Sequence, residues 1–142
     1  MAALADQIRE QNPWWVDPDA ILRDRDLRTL WSGPLDWHPP VLDAIEVVPD
    51  AIHTLRGPRH VGKTTTAKIL IERLVRVGRR RVVYFSFDHV RDARAIADVL
   101  RCARQLHPEP DGEWYIFLDG LTTVPEWQRA VKYAVDQGLI AG

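Results

Sequence analysis

The stretch GPRHVGKT, residues 57–64, decides the fold, because it matches the pattern G-x-x-x-x-G-K-[ST] at every fixed position. Gly57 and Gly62 permit a tight turn in which successive backbone N–H groups point at phosphate oxygens. An apolar segment precedes this stretch, and an amphipathic helix is predicted to begin at Lys63. From there Lys63 can reach the β- and γ-phosphates of a nucleotide, and the Thr64 hydroxyl can ligate Mg²⁺. The stretch therefore predicts a phosphate-binding loop; a glycine turn before a helix is the competing interpretation.

The loop and the first turn of the helix together form the predicted nucleotide site. The backbone supplies most of its donors, and the partial positive charge at the helix N-terminus also favours an anion. Thr65 is in position to bond the α-phosphate, whereas His60 lies at a variable position where the backbone matters more than the side chain. The candidate cofactor-binding residues are Gly57, Pro58, Arg59, His60, Val61, Gly62, Lys63, Thr64 and Thr65.

A second stretch, YIFLDG at residues 115–120, predicts a strand that carries an acid to the edge of a sheet. In open α/β sheets, ligands bind at the carboxyl ends of the strands. Asp119 is therefore expected to hold Mg²⁺ together with Thr64, through water. The residue after Asp119 is Gly120, where many phosphate-cleaving proteins carry a second acid.

The rest of the pattern alternates between strands and helices. Helical spacing runs from Lys63 to Val77 and over 93–103, and a near-continuous apolar run at 81–88 is typical of a strand buried on both faces. Two short strands are expected at 44–48 and 51–55. Thr123 and Glu126 have capping-box spacing, with Pro125 in the first turn of a last helix that Gly138 closes. This alternation predicts crossover units and a mostly parallel sheet with helices on its faces, the α/β class.

Residues 1–40 are rich in tryptophan and proline and predict a separate helical arm. Asp17 is a candidate N-cap, with Pro18 at the first helical position and Asp19 in the first turn. The tryptophans are interpreted as packing the arm onto the main body rather than stacking on a ligand.

The composition favours one globular unit: 142 residues, 46% hydrophobic, 27% charged and a net charge of −1. Such a charge gives the whole chain no electrostatic attraction to nucleic acid or anionic membrane. No apolar run approaches the roughly 20 residues that cross a bilayer, and no signal peptide is apparent. The single cysteine, Cys102, suits a reducing compartment, so a cytoplasmic location without membrane association is expected.

Five segments together carry a family resemblance: QNPWW at 11–15, LRGPRHVGKTTT at 55–66, YFSFD at 84–88, YIFLDG at 115–120 and VPEWQRAVKYAVDQG at 124–138. They resemble the AAA-type P-loop ATPases, in particular a prokaryotic group with NPWW, GPRxVGKTT and YIFLDE-like motifs. The resemblance implies a three-layer αβα P-loop fold with ATP and Mg²⁺ as ligands. It also implies catalytic roles for Lys63 and Asp119 and metal binding by Thr64 and Asp119.

The chain departs from this family in two respects. Gly120 stands where the family has a water-activating glutamate, and the chain ends before the family's later strands and γ-phosphate sensors. Residues 41–142 are therefore expected to be the N-terminal part of an incomplete nucleotide-binding domain that binds ATP but hydrolyses it weakly. Asp88, at the end of the neighbouring strand, is a tentative substitute base; it could instead cap the following helix or hydrogen-bond within the site.

Two other functions stay open at this stage. One is a nucleotide-gated module that holds ATP as a switch for an unidentified protein partner. The other is a DNA-associated ATPase that uses the arginines at 76 and 79–81, although a solvated turn explains this cluster better. The partners expected are ATP and either further copies of the chain or the remainder of the ATPase.

Overall fold

The computed structural model describes residues 2–33, 63–108 and 112–139. The two short strands expected between residues 44 and 55 lie outside the described residues, as does the predicted loop up to residue 62.

The centre of the described structure is a pair of parallel strands. Strand β1 (Val82–Ser86) and strand β2 (Tyr115–Asp119) pair in register, so that Val82 lies opposite Tyr115 and Ser86 opposite Asp119. One helix, Arg94–Leu106, lies between them in sequence and forms the crossover that a parallel pair requires. This mixed helix and strand structure is compatible with an α/β fold.

Helices pack on both faces of this pair. Helix α3 (Lys63–Arg76) covers one face through Ile71, which lies in a cluster with Val82 and Tyr84. The other face carries α4 (Arg94–Leu106), α5 (Trp127–Asp136) and the N-terminal helix α1 (Ala2–Gln11). Residues 82–85 of β1 are all buried, as expected for a strand covered on both faces. The longest described helix has 14 residues, and none of the described helices is long and apolar enough to cross a membrane.

The N-terminal segment consists of short helical pieces rather than one helix. After α1 come two 3₁₀ helices, Pro13–Trp15 and Pro18–Arg23, and then α2 (Arg25–Ser32). Asp17 does cap the second 3₁₀ helix, accepting from the N–H of Asp19 at 3.1 Å. The segment after Asp17 is helical as predicted, but it divides into two pieces at Asp24, which is extended and whose carboxylate caps α2. Helix α1 was not predicted at all.

Side chains of the N-terminal segment cover one edge of β1. The backbone N–H and carbonyl groups of odd-numbered residues along this strand point toward β2, as the hydrogen bonds of Arg81 and Phe87 to β2 show. Those of the even-numbered residues therefore point away from β2. Asn12 bonds both groups of Tyr84: its Nδ2 donates to the carbonyl at 2.9 Å, and its Oδ1 accepts from the N–H at 2.7 Å. The indole N–H groups of Trp14 and Trp15 both donate to the Val82 carbonyl, at 2.8 and 2.7 Å.

Gln11 completes this edge, because its Oε1 accepts from the Ser86 N–H at 2.8 Å. The QNPWW segment thus gives β1 the bonds that a neighbouring strand would give. The prediction that these tryptophans pack the arm onto the main body agrees with this arrangement for Trp14 and Trp15, whereas Trp31 is about half exposed.

The last helix begins differently from the prediction. Residues Leu121–Thr123 form a 3₁₀ helix, and α5 begins at Trp127, after Pro125. The predicted capping box is wrong: the Thr123 hydroxyl donates to the Gly120 carbonyl at 2.9 Å, and Glu126 has a left-handed φ of 59° without a side-chain cap. The physical reason is that the Thr123 hydroxyl bonds backwards within the 3₁₀ turn, so it does not cap the start of α5.

Candidate functional site

The carboxyl end of β2 meets the first turn of α3. Asp119 is the last residue of β2, and Thr64 is the second residue of α3. The Thr64 hydroxyl donates to Asp119 Oδ2 at 2.6 Å, although the two residues are 55 positions apart in sequence. The structure therefore brings together the two side chains that the sequence assigned to one metal site.

A third side chain, from Tyr84, reaches the same oxygen. Its phenol donates to Asp119 Oδ2 at 2.6 Å, and its ring is buried with 6% of its surface exposed. Burial first, and the hydrogen bond to Asp119 second, raise the pKa of Tyr84 far above its usual value near 10. The phenol therefore stays protonated and acts as a donor.

Sequence reasoning missed Tyr84, because a tyrosine inside an apolar strand has the appearance of a core residue. The available signal was the strand register. Tyr84 lies opposite Phe117, and Ser86 lies opposite Asp119, so Tyr84 and Asp119 share a face of the sheet at a diagonal. A parallel pairing of the two strands with this register would have placed the phenol beside the carboxylate.

An ion-pair cluster lies behind the Tyr84 ring. The Lys68 ammonium is 2.7 Å from Asp24 Oδ1 and 3.2 Å from Asp26 Oδ2, and it lies 5.3 Å from the centre of the Tyr84 ring. Only 16% of the Lys68 side chain is exposed. A lysine on an amphipathic helix is usually exposed, whereas Lys68 joins α3 to the N-terminal segment.

Gly120 follows Asp119 in a left-handed conformation, with φ of 70°. A β-carbon at this position would overlap Oδ1 of Asp88, the end of a flexible and exposed side chain. Asp88 therefore occupies the space beside residue 120. It does not cap the following helix, because the Asp92 carboxylate, not Asp88, accepts from the Arg94 N–H at 2.9 Å.

The remaining predicted site residues divide between described and undescribed parts of the chain. Lys63 and Thr65 are half-buried near the start of the described part of α3. Residues 57–62 lie outside the described residues, so the roles of their backbone groups stay predictions.

The donors at this site suit a hard cation. Within the described ranges, no group of three or more His, Cys, Asp or Glu side chains could hold a metal ion. Mg²⁺ does not need such a cage, since it typically takes one or two protein oxygens and completes its shell with phosphate oxygens and water. The Thr64 hydroxyl gives its hydrogen to Asp119, which leaves its oxygen lone pairs for a metal. The residues present thus fit Mg²⁺ bound together with a nucleotide.

The arginine cluster lies at the opposite end of the strands. Arg79, Arg80 and Arg81 precede β1 and line an open cavity of about 340 Å³ with Glu113 and Tyr115. Arg81 Nε donates to the Glu113 carbonyl at 2.9 Å, and the Arg79 guanidinium lies 5.9 Å from the centre of the Tyr115 ring. Arg79 and Arg81 therefore take part in these contacts within the chain, away from Asp119.

Comparison with known proteins gives one assignment. No curated protein and no solved structure matches the chain. Residues 49–141, more than half of the chain, match the family model described as an AAA domain. This match includes the loop motif, Thr64, Tyr84 and Asp119, and the chain therefore belongs to the AAA domain family.

Proposed function

We propose that this chain binds Mg-ATP as part of an AAA-type P-loop ATPase. The observation that carries the proposal is the 2.6 Å hydrogen bond from Thr64 to Asp119, which joins the helix after the loop motif to the acid of the second strand. The match to the AAA domain family supports the same function. In this proposal residues 41–142 belong to a three-layer αβα P-loop domain, and residues 1–40 are its N-terminal arm.

Each site residue then has a distinct role. Backbone N–H groups of residues 57–62 and the Lys63 ammonium hold the phosphates, and Thr65 bonds the α-phosphate. Thr64 and Asp119 hold Mg²⁺, Asp119 through water. When bound, the metal neutralises charge on the β- and γ-phosphate oxygens.

We further propose that hydrolysis is weak, because Gly120 has no carboxylate with which to activate water. A general base contributes typically 10²–10⁴-fold to a rate. Asp88 is the nearest candidate for a replacement, since its carboxylate occupies the space that a side chain at position 120 would enter. In this role Asp88 accepts a proton from the attacking water, less effectively than a glutamate at position 120.

Nucleotide binding is tested by titrating the chain with ATP and Mg²⁺ in a calorimeter. Lys63→Ala should abolish measurable binding, because it removes the one ammonium group assigned to the phosphates. Lys132→Ala is the matched control: Lys132 lies on α5, exposed and 3.2 Å from Asp136, and its loss should leave binding unchanged. Equal heats for wild type and Lys63→Ala would overturn the proposal.

Hydrolysis is tested by single-turnover cleavage of ATP. Asp88→Asn should slow the residual rate by at least 10-fold, whereas Asp92→Asn, an exposed aspartate in the same loop, should not change it. Gly120→Glu should cleave faster than wild type, although the left-handed backbone and the Asp88 side chain oppose any β-carbon there. If Asp88→Asn cleaves at the wild-type rate, Asp88 is not the base.

The second candidate function is a switch that binds ATP for a protein partner without turning it over. The left-handed conformation at position 120 favours it, because such a backbone favours glycine, which has no side chain with which to activate water. Absence of cleavage in wild type, Asp88→Asn and Gly120→Glu alike, combined with intact Mg-ATP binding, would support the switch over the ATPase.

A further inference from the structure

We propose that Tyr84 is a positioning residue that orients the Asp119 carboxylate for metal binding. The inference rests on the proposed function, because it assigns to Tyr84 a role at the metal site of Thr64 and Asp119.

The geometry around Asp119 divides its two oxygens between different tasks. The Tyr84 phenol and the Thr64 hydroxyl both donate to Oδ2, each at 2.6 Å. Neither of these two groups donates to Oδ1. Two donors on one oxygen fix the rotation of the carboxylate, so Oδ1 is the oxygen that remains for the metal or its water. Outer partners of this kind orient metal-binding groups in many proteins.

Tyr84 is itself held in place at three points. Asn12 bonds its backbone N–H and carbonyl, at 2.7 and 2.9 Å. The Lys68 ammonium lies 5.3 Å from the ring centre and is fixed by the carboxylates of Asp24 and Asp26. The ring is also buried against α3. A donor restrained in this way can hold a carboxylate in one orientation before any ligand arrives.

The role of the phenol oxygen can be separated from the role of the ring. Tyr84→Phe keeps the ring, its packing and both bonds to Asn12, and it removes only the donor to Asp119. Tyr115→Phe is a matched control on the neighbouring strand, since its phenol donates to the exposed Glu113 at 3.2 Å, at the end of β2 opposite Asp119. A general packing effect would not depend on Mg²⁺, whereas a positioning effect would.

The experiment titrates Mg²⁺ against the chain and a fluorescent ATP analogue. For Tyr84→Phe we expect half-saturation at about 10- to 100-fold higher Mg²⁺, the range found when an outer partner of a metal ligand is lost. Nucleotide binding in EDTA should be the same as in wild type, and Tyr115→Phe should match wild type in both conditions. In an Asp119→Asn background, Tyr84→Phe should have no further effect, because Tyr84 acts through Asp119.

The outcomes distinguish this inference from the proposed function. If wild type binds no nucleotide at any Mg²⁺ concentration, the proposed function is wrong. If wild type binds and Tyr84→Phe has the same Mg²⁺ half-saturation, or loses affinity equally in EDTA, the positioning role is wrong.

A labelling measurement tests the role in the native chain, independent of how Tyr84→Phe folds. In fluorotyrosine-labelled protein, the Tyr84 ¹⁹F signal, assigned with Tyr115→Phe and Tyr133→Phe, should shift on adding Mg-ATP but not on adding ATP in EDTA. In protein that binds Mg-ATP, an unchanged signal would equally overturn the inference.

Discussion

Replacing Asn12 by alanine should destabilise the protein strongly, although Asn12 lies outside the proposed nucleotide site. The side chain has 1% of its surface exposed and makes three hydrogen bonds. Its Nδ2 donates to the carbonyls of Ile8 and Tyr84, at 2.7 and 2.9 Å, and its Oδ1 accepts from the Tyr84 N–H at 2.7 Å. Alanine would leave the two Tyr84 backbone groups buried without these partners.

The size of the effect follows from the cost of unsatisfied buried groups. Each costs about 1–3 kcal/mol, so the two groups of Tyr84 together give about 2–6 kcal/mol, with water entry lowering the upper end. We expect a loss of about 2–4 kcal/mol in the free energy of unfolding, against a typical total of about 5–15 kcal/mol. For a chain of this length, the melting temperature should fall by about 10 °C.

The assay is urea unfolding monitored by circular dichroism. The midpoint urea concentrations are compared between proteins whose free energy of unfolding depends on urea with the same slope. Asn12→Asp should be at least as destabilising as Asn12→Ala, because a carboxylate cannot donate to the two carbonyls. Gln11→Ala removes a single bond to half-buried Ser86 and should cost only about 1 kcal/mol. A change below about 0.5 kcal/mol in Asn12→Ala would refute the reasoning, since surface substitutions alone reach that size.

Three further predictions concern other parts of the chain. Lys68→Met should lower the free energy of unfolding by about 1–3 kcal/mol, because it leaves the partly buried carboxylates of Asp24 and Asp26 without their cation; equal stability of Lys68→Met and wild type in urea would contradict this. Cys102, the single cysteine, is 6% exposed, so a thiol reagent should modify it at least 100-fold more slowly in the native protein than in 6–8 M urea, and comparable rates would contradict its burial. Hydrogen bonds from Arg23 first, and from the Asp19 N–H second, lower the pKa of Asp17, so its contribution to stability is present above the usual value near 3.9 and is lost as the pH falls through the lowered pKa. The free energy of unfolding, measured between pH 5 and pH 2, should therefore fall less steeply with falling pH in Asp17→Asn than in wild type. The same pH dependence in both proteins would exclude this contribution.

Periodicity predicted the main elements well, because their apolar residues repeat with the period of the structure they form. Helix α3 was expected from Lys63 to Val77 and ends at Arg76, and the strand expected within 81–88 is Val82–Ser86. The contact between Thr64 and Asp119 was likewise expected. Ligands of open α/β sheets bind at the carboxyl ends of the strands, and both residues were assigned to one ligand.

Long-range polar contacts could not be predicted in the same way. The bonds of Asn12 to Tyr84 join residues 72 positions apart, and no local pattern indicates them. Charged residues on a helix are usually exposed, yet only 16% of the Lys68 side chain is, because the carboxylates of Asp24 and Asp26 lie within its reach. The capping box failed for a local reason, because the Thr123 hydroxyl had a nearer acceptor in the Gly120 carbonyl.

The bonds between the QNPWW segment and β1 have a consequence for how this strand can vary. On the β1 side, every one of them ends on a main-chain atom, at residues 82, 84 and 86, and none requires a particular side chain there. Substitutions in β1 other than to proline therefore keep the backbone groups that these bonds use, whereas inserting or deleting one residue would exchange odd and even positions. The amide of Asn12 and the two indoles would then lie beside residues whose backbone groups point toward β2 and cannot bond them. These bonds thus tolerate a change of side chain in β1 but not a change in its length.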